Sequence, residues 1–123
     1  MTAETHSGIS YAENALVISR AGILSGDAMD IADALAKVRS TLLRVGDAIA
    51  VNGIIPGHIK AALVGGGGRC ILSVTVPGDC VVTEVLPVKK TSREWLLTVN
   101  VISAVKPPED PSTILDDLFR TGD

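Results

Sequence analysis

A chain of 123 residues with a net charge of −3 has room for one domain and not for two full cores. Hydrophobic residues make up 46% but aromatics only 2% (Tyr11, Trp95 and Phe119), so the interior is built from Ala, Val, Leu and Ile; single-strand binders need stacking rings, and no nucleic-acid partner is expected. No apolar run approaches the ~20 residues that span a bilayer, and the polar start from Met1 to Ser10 lacks the pattern of a secretion signal, so the expected location is the cytoplasm and no membrane partner is expected.

Residues 1–13 read as a flexible lead-in. Asn14 to Ile23 contains a short apolar run suited to a buried strand. Leu24-Ser25-Gly26-Asp27 breaks it, and Asp27 can cap a helix whose first turns carry Asp30 and Asp33. Ile31, Leu35, Val38, Leu42 and Val45 then recur at alternating steps of four and three, which predicts a long helix with one buried face. Gly46 is its expected left-handed terminator. Asp47 to Ile55 reads as a strand interrupted at Asn52-Gly53, and Pro56-Gly57 as a turn. His58 to Val64 suits two helical turns closed by Gly65 to Gly68.

Arg69 to Val76 and Cys80 to Leu86 alternate as the arms of a hairpin. An L-proline cannot take the positive φ of the usual two-residue hairpin turns, so Val76 to Asp79 is expected as a four-residue loop, pairing Thr75 with Cys80 and Leu72 with Thr83. In that register Cys70 faces Val85, about 17 Å from Cys80, and the two thiols stay free. The polar connection Pro87 to Glu94 leads to a last strand, Trp95 to Val105, that can complete an antiparallel meander. Residues 106–123 then form a stiff linker (Pro107, Pro108, Pro111) and a short docking helix with Ile114, Leu115, Leu118 and Phe119 on one face.

The fold class is therefore α+β: one domain over 14–105, mostly antiparallel sheet of about five strands, with a long helix packed on one face and a short C-terminal helix. The order of elements resembles that of hot-dog folds, in which a sheet wraps one long helix. The run His58 to Gly65 resembles a short stretch of the thiamin-phosphate-synthase-like family of small trimeric proteins. That resemblance spans eight residues; the family's downstream Gly-Thr-Trp-Gln stretch has no counterpart in this chain, and no residue role is carried over.

Charge is unevenly spread. Lys37 to Arg93 holds eight basic residues against three acids, and the remainder three basic residues against eleven acids. Within the basic stretch, Lys60, the glycines Gly65, Gly66, Gly67 and Gly68, and Arg69 gather cations beside a freely turning backbone whose N–H groups can converge on a phosphate or carboxylate. The order helix, glycines, strand is not that of a nucleotide P-loop, and no dinucleotide fingerprint is present, so no cofactor is expected. His6, His58, Cys70 and Cys80 are too few and too scattered for a closed metal site. His58 and Cys70 are the candidates for catalysis, as general acid or base and as nucleophile.

These observations lead to a small homo-oligomeric domain that binds an anionic metabolite near Lys60, Gly65 to Gly68 and Arg69. The self-association would use surplus apolar surface and the C-terminal segment. The alternatives are an assembly module acting through that C-terminal segment, and an enzyme with His58 as general acid or base.

Overall fold

The computed structural model describes residues 6–12, 15–85 and 94–121. In chain order the elements are β1 (His6–Ala12), β2 (Ala15–Ile23), α1 (Ile31–Ile49), β3 (Gly57–Gly65), β4 (Gly68–Val76), β5 (Asp79–Val85), β6 (Leu96–Ser103) and α2 (Ser112–Asp116). The strands form a six-stranded antiparallel sheet in the order β1-β2-β6-β3-β4-β5. The expected α+β class holds; of the five anticipated strands four are present, Asp47 to Ile55 is not one, and the two unanticipated strands are β3 and β1, the latter within residues 1–13, where a flexible lead was expected.

The topology departs from the expected meander at its last strand. β3, β4 and β5 are the meander, and β6 leaves β5 to insert between β2 and β3. Both neighbours run antiparallel to β6, so β2 and β3 are parallel to each other and need a long crossover, which α1 provides. That helix starts at Asp30, not Asp27: the Asp30 carboxylate accepts from the Asp33 N–H at 2.9 Å. It also runs past Gly46 to Ile49, replacing the first part of the expected strand. Gly46 is buried where the helix presses on the sheet, and an added β-carbon would stand 3.3 Å from both Ile55 and Val74. Asn52 and Gly53, with φ of 52° and 77°, make the tight turn by which Val51 meets Ile54.

His58 to Val64 is strand, not helix. Ile59, Ala61 and Leu63 point inward and His58, Lys60 and Val64 outward, the period-2 pattern of a half-buried strand. The next hairpin closes on two residues, Pro77 and Gly78, rather than four. Pro77 takes the first turn position and Gly78 the second with φ 77°, a combination that matches strand twist poorly. The ladder compensates by a register shift beside Thr75, so Cys80 faces Val74 and Leu72 faces Val82.

The core lies between the sheet and the helices. It joins Leu16, Ile18, Leu63, Leu72, Val99 and Val101 of the strands to Val38, Leu42, Val45 and Ile49 of α1. The C-terminal segment closes it. The short docking helix finds its surface on this chain's own core, where Leu115, Leu118 and Phe119 are buried. Two backbone hydrogen bonds fix the return and together make the Leu24–Phe119 bridge: the Ser25 N–H donates to the Leu118 carbonyl at 2.7 Å, and the Arg120 N–H donates to that of Ile23 at 2.7 Å. Among the described residues no element covers the other face of the sheet.

Candidate functional site

The predicted anion loop is a tight turn. Gly66 and Gly67 have φ of 56° and 79°, the paired positive values of a type I′ hairpin, and Gly65 pairs with Gly68 across it. Such a turn uses its glycines to reverse the chain and leaves no wide concavity of N–H groups. Lys60 is not beside it. Arg69 pairs with Val64, four residues from Lys60, which puts the two cations about 13 Å apart along the strands. Gly65 instead makes room for an aromatic ring. A β-carbon there would stand 2.7 Å from the ring of Trp95, whose Nε1 donates to the Met29 carbonyl at 3.1 Å.

At this end of the sheet Gly26, Asp27, Ala28, Glu94 and Arg120 line an open depression of about 450 Å³. The Arg120 guanidinium holds Glu94 at 3.1 Å, and among the described lining residues two carboxylates face one cation, a balance that does not suit an anion.

His58 and Cys70 do not meet. Cys70 is wholly buried on the inner face, whereas His58 is exposed on the outer face of β3, about five residues along. Burial pushes the Cys70 thiol above its ordinary range, which disfavours the thiolate a nucleophile needs. Cys80 is raised for the same reason, with the charge of Arg39 partly offsetting it. Both thiols are free, and the four-residue separation between Cys70 and Val74, the partner of Cys80, is about 13 Å, too far for a bond. Among the described residues no group of three or more His, Cys, Asp or Glu is placed to hold a metal.

What the topology does assemble is a polar row across the middle of the open face. Ser19 of β2 pairs with Asn100 of β6, Asn100 with Lys60 of β3, and Lys60 with Ser73 of β4, all by direct cross-strand register. Neighbouring strands lie about 4.8 Å apart, so the four side chains form a continuous line. The Ser19 hydroxyl donates to the Asn100 side-chain carbonyl at 2.8 Å, turning the amide N–H₂ group of Asn100 away from Ser19. Lys60 is exposed and makes no ion pair among the described residues. The strands β2, β6, β3 and β4 contain no aspartate or glutamate at all. His58 shares the face two positions from Lys60.

Only Lys60 of this row was singled out from the sequence. Ser19, Ser73 and Asn100 stand at the outward positions of alternating strands, a pattern that by itself marks only the solvent side. The basic residues Lys89, Lys90 and Arg93 of the same charge stretch lie outside the described residues. No family model, no curated protein and no solved structure matches the chain. Among the described residues no helix is long and apolar enough to cross a membrane.

Proposed function

We propose that the protein is a small binding domain that takes an anionic small molecule on the open face of its sheet, centred on Lys60. The observation that carries the proposal is the row Ser19–Asn100–Lys60–Ser73, with an ammonium at its centre that has no ion pair among the described residues, in four strands without an acid. An ammonium attracts the charge, while the Ser73 hydroxyl and the Asn100 amide N–H₂, oriented by Ser19, can donate to the oxygens of a phosphate or carboxylate. The site keeps Lys60 from the residues first considered and leaves out the glycine turn and Arg69.

A thermal-shift titration tests it. Inorganic phosphate and citrate, compared with chloride at equal ionic strength, should raise the melting temperature of the protein. An anion at a hundred times its dissociation constant stabilises by ~2.7 kcal/mol, well within reach of the method. Lys60→Met should abolish the rise, and Asn100→Asp should weaken it by setting a carboxylate beside the anion. Arg69→Ala should leave it intact. A rise that survives Lys60→Met, or that Arg69→Ala removes, places the anion elsewhere.

A further inference from the structure

The polar row lies at the centre of the open face: β6 and β3 are the middle strands, and Asn100 and Lys60 are near the middle of each. Around this centre the face is mixed: exposed His58, Thr98 and Arg69 share it with five apolar residues. Val17 (37% exposed) and Ile102 lie towards one end of the strands, Leu96 (52%) and Val64 (41%) towards the other, and Val81 (47%) near the edge. Apolar patches on either side of a charged row suit two surfaces that close over a shared charged ligand. The face is also the right size. Six strands at about 4.8 Å and seven to nine residues at about 3.4 Å give an outline of roughly 29 by 27 Å, or about 780 Å². A stable interface buries about 800 Å² on each partner. Small residues (Ser19, Ala21, Ala62, Ser73) keep the middle low enough for another sheet to approach at the usual spacing of about 10 Å.

We infer that a second copy of this chain covers the open face, sheet against sheet about a twofold axis through its centre, and that the anion is held between the two Lys60 side chains. The inference rests on the binding site proposed above. It adds that each copy supplies half of that site. A twofold axis through the middle brings Lys60 and Asn100 of one copy opposite the same residues of the other. With no acid in the four central strands of either copy, the two ammonium groups have nothing in those strands to neutralise them. A dianion supplies the missing charge, so association depends on it.

The test is the mass in solution of the full chain, by sedimentation equilibrium, in chloride and in inorganic phosphate at matched ionic strength. The expected result is a monomer in chloride and a species of twice the mass in phosphate. Leu96→Glu and Val64→Glu, both exposed in the monomer and so expected to fold normally by circular dichroism, should remain monomeric in phosphate. Lys60→Met, which removes the repulsion, should dimerise in chloride as well. Three results overturn the inference. A monomer in every buffer, with the Lys60-dependent thermal shift intact, leaves a binding site complete in one copy, and the face then takes a different protein or water. A dimer that forms equally in chloride and phosphate and survives Lys60→Met shows self-association without a shared ligand; the loss of the thermal shift in that case removes the binding site too. A phosphate-dependent dimer unaffected by Leu96→Glu assembles through another surface.

Discussion

Gly57 begins β3 where the backbone passes so close to the Ile102 carbonyl that any β-carbon would run into it. The neighbouring atoms are backbone in two hydrogen-bonded strands and cannot swing aside, so Gly57→Ala should cost about 2–3 kcal/mol or prevent folding. Gly67 faces open space, and its substitution meets only the strain of a positive φ, about 1–2 kcal/mol. Urea denaturation of the two variants should separate them in that order; equal midpoints would mean that the strands yield at Gly57. The cysteines make a second test at this scale. Burial raises both thiols, so neither should react with a thiol reagent at pH 8 in the native protein, and both should react in urea. The sign of the linkage follows. A thiol whose folded pKa lies above its unfolded value of about 8.5 contributes fully below that pH. Stability should therefore fall as pH rises beyond about 8.5, and Cys70→Ala should flatten that fall while creating a small cavity.

The C-terminal segment shows how one charged residue can be kept in an apolar layer. Arg20 points inward from β2, with its side chain only 12% exposed. It reaches the Asp116 carboxylate at 2.6 Å, and its guanidinium lies 4.7 Å from the centre of the Phe119 ring. The arrangement is incomplete, since Arg20 Nε and Ser112 Oγ are buried without hydrogen-bond partners. Leaving such atoms unpaired is costly, so a long apolar side chain should serve nearly as well as arginine. Arg20→Ala, which uncovers Phe119, should lower stability by about 1–2 kcal/mol, while Arg20→Met should stay within about 0.5 kcal/mol of the parent. Phe119→Ala should cost about 3–5 kcal/mol, as expected of a buried ring. If Arg20→Met proves as damaging as Arg20→Ala, the charge rather than the packing holds the tail. The same scale shows which elements could be read in advance. The α1 stripe was legible because its apolar residues repeat at 3.6, and no other element accounts for that spacing. β3 was not, because Ala61, Ala62 and Leu63 have helical composition and the glycines after them look like a helix terminator; the alternation of Ile59, Ala61 and Leu63 was present but outweighed. The Asn52-Gly53 turn was signalled by its dipeptide, and the apolar residues around it hid it inside an expected strand.

At the scale of the whole molecule, the decisive fact is one that local pattern cannot carry: the last strand in the chain is a middle strand of the sheet. β6 was legible as a strand, but nothing in residues 96–103 says that it pairs with β2, some eighty residues earlier, rather than with β5. The polar row depends on that choice. Ser19 and Asn100 are 81 residues apart in sequence, and neither is distinguished until β6 brings them together. The same topology makes a prediction about assembly of the fold. Without β6 the chain has two separate sheets, the β1–β2 hairpin and the β3–β4–β5 meander, with α1 between them and no strand to join them. The hairpin alone is marginal, and the meander, although α1 still packs on β4 and β5, loses the β2, β6 and tail side chains that complete the core. A fragment ending before Trp95 should therefore be unfolded by circular dichroism, and a peptide covering residues 94–121 should restore the sheet when added in excess. The intact chain should refold slowly for its size, in milliseconds to seconds, because its central pairings close the longest loops. Val99→Ala, in the middle of β6, should slow refolding, whereas Leu118→Ala, in the tail that docks on the finished sheet, should mainly speed unfolding. A fragment that folds without β6, or a Val99→Ala variant that changes only the unfolding rate, would show that the two halves form before the strand that joins them.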